Sequence, residues 1–317
     1  MKKESIKKMD ISVVVPLYNE EENVDILYRS IHDVMSQLDK TYEIIFVDDG
    51  SKDSTFALLR AISQKDPHVK VIKFRNNCGQ SAAMDAGFEY SHGEIIISMD
   101  GDLQNDPRDI PNLLHKLDEG YDVVSGWRKN RQDGLILRKI PSKIANRMIC
   151  SVTKVRLHDT GCALKAYRAK VVKRINLYGE MHRFLPALAR IEGAEIAELV
   201  VNHHPRRFGK SKYNITRTFR VIMDLLSLNL FIKYLKKPLG FFGLIGLIFF
   251  LLSLITLGIW VVGAYNYSNT IAESNVLFTL TFLFLVSGLE FFFIGLLADL
   301  IYVTGNKKKM YLSKFIQ

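Results

Sequence analysis

Two stretches near the end of the chain limit what it can fold into. From Pro238 to Ala264 there are 27 residues without a charge, and Val276 to Val303 carries only Glu290 and Asp299 among 28 residues. A bilayer core about 30 Å thick is crossed by roughly 20 helical residues, so each stretch is long enough to span it. Core helices of soluble proteins rarely stay uncharged for so long. Lys233, Lys236 and Lys237 precede the first stretch, and Lys307, Lys308 and Lys309 follow the second. The connecting loop from Tyr265 to Asn275 holds neither Lys nor Arg. Excess Lys and Arg mark the cytoplasmic side, which predicts two spans with both ends in the cytoplasm and a short outer loop. The basic opening segment, MKKESIKKMD, leads into only a short apolar run broken by Pro16 and is not expected to act as a signal peptide.

The remaining chain is divided by charge. Over all 317 residues the formal net charge is +10. Residues 1–127 carry −9, residues 128–237 carry +18, and the last 80 carry +1. An acidic part suits metal ions, and a basic part suits phosphates or an anionic membrane surface. Hydrophobic residues make up 48% and charged residues 24%, which excludes a disordered or low-complexity chain. Cys78, Cys150 and Cys162 are an odd set with no CxxC pair, which argues for reduced thiols rather than a disulfide framework or a zinc cluster.

Along the acidic part, strand and helix signals alternate. ISVVVP (11–16), EIIFVD (43–48), VKVIKF (69–74), EIIISMD (94–100) and YDVVSG (121–126) read as buried strands. Between them, helical spacing covers 20–38, a segment opened by Ser51 or Ser54, 79–90 and 107–117. This order predicts an α/β fold: a Rossmann-like, mostly parallel sheet with helices on both faces. Ligands of such sheets bind beyond the carboxyl ends of the strands. There the sequence places Pro16-Leu17-Tyr18-Asn19-Glu20, Asp48-Asp49-Gly50-Ser51 and Asp100-Gly101-Asp102.

Asp100-Gly101-Asp102 is the sharpest of the three. Gly101 permits a tight bend that brings two carboxylates to one point, where they repel unless a cation lies between them. Mg²⁺ binds through one or two carboxylates together with substrate phosphates. Neither GxxxxGK[ST] nor GxGxxG occurs, so a P-loop ATPase and a dinucleotide-dependent dehydrogenase are excluded. A metal bridging the diphosphate of a nucleotide-sugar fits the pattern better.

VVVPLYNEEENV, DDGS (48–51), NCGQSAAMDAGF (77–88) and MDGDLQNDP (99–107) resemble a family 2 glycosyltransferase with a GT-A fold. GWRKNRQD (126–133), HDTGCALKAYR (158–168), GEMHRFLPALA (179–189) and HHPRRFGKSKY (203–213), with the two spans, resemble its polyisoprenyl-phosphate group. That group includes undecaprenyl-phosphate glucosyltransferases and dolichol-phosphate mannose synthase. The QxxRW motif of processive synthases is missing, which argues against polymer synthesis. The resemblance implies that Pro16, Tyr18, Glu20, Asp48, Asp100 and Arg128 bind the nucleotide-sugar. It implies that Asp100, Asp102 and Gln104 hold Mg²⁺ or Mn²⁺, that Asp159 is the catalytic base, and that Arg206, Ser211 and Lys212 hold the acceptor phosphate.

The implied reaction is metal-dependent, inverting transfer of a sugar, expected to be glucose, from a UDP-sugar to undecaprenyl phosphate. Alternatives are GDP-mannose, UDP-GlcNAc or a formamido-arabinose donor, or an inactive membrane scaffold of the same fold. The expected organisation is a catalytic domain over 1–212, juxtamembrane amphipathic helices over 213–237, spans at 238–264 and 276–303, and a tail over 304–317. Residues 138–154 mix basic and apolar residues in the same way, as suits a helix lying on an anionic leaflet. A nucleic-acid partner is not expected, because the basic residues lead into a span and form no recognition motif. The implied location is the inner (cytoplasmic) membrane, as a multi-pass protein and a homo-oligomer, with Gly240, Gly243 and Gly246 offering a small-residue contact face. Glu290, near the middle of the second span, is expected to be neutral and hydrogen-bonded within the helix pair, with Ser253 and Thr256 in reach, or to a neighbouring protomer.

Overall fold

The computed structural model describes residues 9–129, 157–175, 177, 179, 181–205, 238–266 and 271–305. The expected surface helices at 138–154 and 213–237 and the flanking lysine clusters lie outside these residues. The chain divides into two compact units, one ending at Ser227 and the other beginning at Leu228.

In the first unit, β1 (Met9–Leu17), α1 (Val24–Met35), β2 (Tyr42–Asp48), α2 (Thr55–Ser63), β3 (Val69–Lys73), α3 (Gln80–Tyr90) and β4 (Gly93–Ser98) alternate as expected. They are followed by α4 (Ile110–Asp118), β5 (Val123–Trp127), β6 (Lys165–Arg168), α5 (Ala169–Val172), α6 (Leu185–Ile191) and β7 (Ile196–Val200). The seven strands form one sheet in the order β3-β2-β1-β4-β6-β5-β7. All neighbours are parallel except β6, which runs antiparallel to both β4 and β5. The carboxyl ends of β1, β2, β4 and β5 therefore open on one edge, and β6 starts there, with Lys165 opposite both Ser98 and Ser125.

Side chains alternate across a strand. Val13, Val15, Ile44, Phe46, Ile95 and Ile97 belong to one buried apolar cluster. Their neighbours Val14, Ile45, Val47 and Ile96 belong to a second one. Val24, Leu27, Ile31 and Met35 of α1 and Leu113 and Leu117 of α4 cover the first cluster, and Ala83, Met84 and Phe88 of α3 and Leu185 of α6 cover the second. A sheet buried on both faces requires such unbroken β-branched strands. The first helix is shorter than the periodicity from Glu20 suggests. Residues 19–21 are instead bonded to the 51–55 turn: Asn19 N donates to Ser51 Oγ at 2.9 Å and Glu20 N to Thr55 Oγ1 at 2.9 Å.

The described residues of the second unit form two helices, α7 (Pro238–Asn266) and α8 (Ile271–Gly305). Their apolar segments, Pro238–Gly263 and Asn275–Ile301, are 26 and 27 residues long, and most of their side chains face outward. At about 1.5 Å per residue each segment exceeds the roughly 30 Å of a bilayer core. The pair closes where Gly246 meets Gly288: a Cβ on Gly246 would lie 2.9 Å from Gly288 O. Phe249 stacks on Phe291 with centroids 5.5 Å apart. Of the three expected small contact residues, Gly246 is the one that meets the other helix of the pair. A Cβ on Gly240 would meet nothing, and one on Gly243 would meet only Leu239 of its own helix. The expected partners of Glu290 are also engaged elsewhere. Ser253 Oγ donates to Thr281 O at 3.0 Å, and Thr281 Oγ1 donates to Thr256 Oγ1 at 2.9 Å. Thr281 lies more than two turns before Glu290, so the polar seam forms around a hydroxyl, and Glu290 stays exposed on the helix pair.

Candidate active site

Three acidic strand ends and the start of β6 shape the edge of the sheet. At the end of β2, Asp48 is fully buried, and its Oδ1 accepts the Ser51 N–H at 3.1 Å. Its Oδ2 is buried and finds no hydrogen-bond partner. A buried carboxylate oxygen left without a donor is costly, so this position suits a ligand that brings an N–H or O–H. The adjacent Asp49 has a purely internal task. It accepts the N–H groups of Cys78 (2.7 Å) and Gly79 (2.9 Å) and the Asn77 amide (2.9 Å), which fixes the loop into α3. Burial raises its pKa against the pull of those bonds. Gly50 allows the turn between them. Its φ is +71°, and a Cβ there would lie 2.6 Å from the Asn76 carbonyl carbon.

At the end of β1, Pro16, Tyr18 and Glu20 are half-buried on the same edge. Glu20 accepts the Asn23 side-chain amide, which holds its carboxylate against the start of α1.

After β4 the chain turns through Asp100, Gly101 and Asp102. A Cβ on Gly101 would lie 2.2 Å from the Leu17 side chain and 3.3 Å from Pro16 O, so the loop packs directly on the end of β1. Gln80 Nε2 donates to Asp100 Oδ1 at 2.6 Å, and Asp100 N to Asn105 Oδ1 at 3.1 Å. Asp102 is buried, and its Oδ1 accepts the Gln104 N–H at 3.2 Å. Burial and the Asp102 charge raise Asp100 to about 6. Two carboxylates this close to each other are what a divalent cation would relieve. Among the described residues no group of three His, Cys, Asp or Glu converges to hold a metal unaided. The pair therefore fits a cation that completes its shell with phosphate oxygens. The Gln104 side chain donates to His204 O at 3.4 Å and so links the loop to a neighbouring segment.

That segment, 202–204, is bound along the same loop. His204 N donates to Gln104 O at 2.9 Å, and Asn202 N and Nδ2 donate to Asp109 at 2.7 and 3.0 Å. His204 Nε2 lies 3.0 Å from Asp106, whose carboxyl is held well below the usual range by the Arg108 guanidinium, with His204 adding to the effect. Of the expected acceptor residues, Arg206, Ser211 and Lys212 lie outside the described residues, beginning two positions after His204.

At the end of β5, Arg128 forms a fork with Asp159, and both side chains are largely buried. Burial alone would raise the Asp159 pKa, but the Arg128 contacts outweigh it and hold the carboxyl below its usual range. Such a carboxylate stays ionised and is a weak base. Lys165, also buried, donates from Nζ to the Cys162 carbonyl, and burial lowers its pKa. Its charge interacts with those of Asp159, Arg128 and Asp100. Asp49, Gln80 and Lys165 were not among the expected site residues, although all three lie inside the quoted motifs. The signal for Lys165 is a lone lysine in the apolar run ALKAY. Cys78 is exposed and Cys162 buried, and both are free thiols.

Known proteins share this sequence and fold. Residues 12–175 match the model of Glycosyl transferase family 2. Dodecaprenyl-phosphate galacturonate synthase of Rhizobium johnstonii is 46% identical over 246 residues, covering 76% of this chain and 73% of that protein. Undecaprenyl-phosphate 4-deoxy-4-formamido-L-arabinose transferase of Photorhabdus laumondii is 36% identical over 299 residues, covering 94% and 90%. Among solved structures, Mycobacterium tuberculosis glucosyl-3-phosphoglycerate synthase in complex with Mn²⁺, UDP and phosphoglyceric acid has a TM-score of 0.54 at 19% identity. That likeness covers 70% of this chain and 78% of the other, and it bears out the expected GT-A-like fold. By its motifs, its sheet and these relatives, the chain belongs to glycosyl transferase family 2.

Proposed function

We propose that this protein transfers a sugar from a UDP-sugar to a polyprenyl phosphate, undecaprenyl phosphate in the simplest case, at the cytoplasmic face of a membrane. One observation carries this reading. The loop bearing Asp102 and Gln104 is bound to segment 202–204, which leads directly into the basic RRFGKSK motif. A donor site of carboxylates and an acceptor site of cations would thus be neighbours. The names of the two relatives support the polyprenyl phosphate, and the apolar α7 and α8 support a membrane-bound acceptor. The same names favour galacturonate or formamido-arabinose over glucose as the transferred group.

In this reading the free oxygen of Asp48 receives a donor N–H of the nucleotide, and Pro16, Tyr18 and Glu20 line the nucleotide pocket. Asp100 and Asp102, with Gln104 beside them, would hold Mg²⁺ or Mn²⁺, which when bound stabilises charge on the departing diphosphate. Arg128 adds a fixed cation at the same edge. Arg206, Ser211 and Lys212 would hold the acceptor phosphate, Arg as a planar fork and Lys as a compact charge. A phosphate monoester has a second pKa near about 6 and is largely dianionic at neutral pH. Asp159 therefore serves by aligning Arg128 and the acceptor more than by taking a proton, and alignment is the main source of rate. Both helix ends would face the cytoplasm. A homo-oligomer belongs to the same reading, since a charge facing lipid at mid-span costs about 2.5–3.5 kcal/mol and a second copy would cover Glu290.

The test is release of UDP by the detergent-purified protein from a panel of UDP-sugars, with and without undecaprenyl phosphate. Release that depends on the lipid supports the reading. Equal release without the lipid, or none with any donor, would overturn it.

A further inference from the structure

We infer that Glu198 is a positioning residue for this transfer: it fixes the backbone of His158 and Asp159 so that the Asp159 carboxylate stays opposite Arg128. The inference rests on the sugar-transfer reading above. Glu198 lies in the middle of β7, in register with Ser125 of β5, and its side chain is 11% exposed. It stands on the outermost strand of the sheet, paired only with β5. Its carboxylate nevertheless reaches the loop before β6. It accepts the His158 N–H at 2.9 and 3.0 Å, the Asp159 N–H at 2.9 Å and the His158 Nδ1–H at 2.7 Å.

Two successive backbone N–H groups aimed at one anion fix the orientation of the peptide between them. That peptide joins His158 to Asp159, so its orientation sets where the Asp159 side chain leaves the backbone. From there Asp159 Oδ1 accepts the Gly161 N–H at 3.1 Å, and both oxygens take the Arg128 fork. The His158 ring stacks on Trp127 with centroids 4.2 Å apart and planes 16° from parallel. The residue before Arg128 and the residue before Asp159 are thereby clamped together, with Glu198 anchoring the loop side of both ties. Without that anchor two N–H groups lose their acceptor and the fork loses its fixed base. Displacements of about 1 Å at a catalytic constellation can cost about 100-fold in rate.

The test uses the full-length protein in detergent with undecaprenyl phosphate and whichever UDP-sugar the wild type turns over. Glu198→Ala, Glu198→Gln, Asp159→Ala and the double variant Glu198→Ala/Asp159→Ala are compared. Glu198→Ala should lower kcat about tenfold or more while the donor KM stays within about threefold, because Glu198 acts on alignment rather than on the nucleotide pocket. Glu198→Gln keeps an acceptor oxygen for the backbone N–H groups and should recover most of the loss. The double variant should be no slower than Asp159→Ala alone, since a residue acting through Asp159 has nothing left to position. If Glu198→Ala does not fold, Glu198→Asp, whose shorter side chain withdraws the carboxylate from the His158 and Asp159 N–H groups, forms the same cycle with Asp159→Asn, judged by the same non-additivity. Losses that multiply in the double variant, or a Glu198→Ala rate within about twofold of wild type, would overturn the inference while leaving the sugar-transfer reading intact. A wild type inactive on every donor would overturn that reading, and this inference with it.

Discussion

Arg128 grips Asp159 through two nitrogens, Nε at 2.7 Å from Oδ2 and Nη2 at 3.0 Å from Oδ1. Removing one member of such a buried pair leaves an uncompensated charge, which costs on the order of 3 kcal/mol, whereas removing both costs less. Arg128→Ala leaves the largely buried Asp159 without its counter-ion. We therefore expect Arg128→Ala to melt at a lower temperature than the double variant Arg128→Ala/Asp159→Ala, as read by circular dichroism in detergent. A double variant less stable than Arg128→Ala would show that the pair is not strongly coupled.

The same pairing makes a pH prediction. Because its folded pKa is lowered, Asp159 is already ionised above the usual carboxylate range and does not titrate between pH 5 and 8. The transfer rate should rise with pH near about 6, where the second ionisation of the acceptor phosphate and the ionisation of Asp100 both fall. Asp159→Asn should slow transfer without moving that midpoint. A midpoint that vanishes in Asp159→Asn would restore Asp159 as the proton acceptor.

Asp100→Asn removes one of two carboxylates that repel each other. It should cost transfer roughly 100-fold, equivalent to about 3 kcal/mol of transition-state stabilisation. Thermal stability in chelator should be unchanged or higher, because a buried like-charge pair has been relieved. Unchanged activity in EDTA, with Asp100→Asn as fast as wild type, would count against a metal at this loop.

Glu43 ties the sheet together at the opposite edge. It is almost fully buried at the start of β2 and accepts Ser12 Oγ, Lys70 Nζ and the His92 N–H, each at 2.6 Å. Burial would raise its pKa, but these donors lower it below the usual value. A depressed folded pKa stabilises the protein above the unfolded value of about 4.3, and that stability is lost as pH falls through the folded value. We expect the melting temperature of the wild type to drop below about pH 4 and the drop to be smaller in Glu43→Gln. Identical acid profiles for the two proteins would refute the assignment.

Gly246 and Gly288 set how closely the apolar helices approach. A Cβ on Gly288 would lie 3.1 Å from Gly246 O and 3.3 Å from Phe250. Gly288→Val should separate the helices and lower the stability of the membrane unit, while Gly240→Ala, whose Cβ would meet nothing, should be silent. Protease resistance of the span region in vesicles reads the difference. Equal resistance in both variants would contradict this packing.

The parallel half of the sheet was legible because strands buried on both faces must be continuous β-branched runs, as ISVVVP and EIIFVD are. β6 and β7 were not legible as strands. Lys165, Ala166, Tyr167 and Arg168 form a short stretch with a charge at each end, and IAELV is a five-residue run interrupted by Glu198, so neither shows a continuous β-branched pattern. The carboxylates of the DxD loop could be read from local order alone, since Gly101 brings them together within three residues. The Arg128–Asp159 fork joins positions 31 apart in sequence, and the Asp106–His204 pair joins positions 98 apart. Such pairings depend on strand order, which periodicity does not reveal. Of the two places expected for Glu290, the partner inside the helix pair is not found, because span length says how deep a residue lies but not which side of the helix it faces.

Sugar transfer to the lipid is read by mass spectrometry of the product formed when the purified protein, undecaprenyl phosphate, Mg²⁺ or Mn²⁺ and each UDP-sugar are incubated together. One polyprenyl-phosphate sugar should form, with stoichiometric UDP, and be lost in Asp102→Asn. A lipid phosphate recovered unchanged beside full UDP release, or product formed equally well by Asp102→Asn, would contradict this expectation.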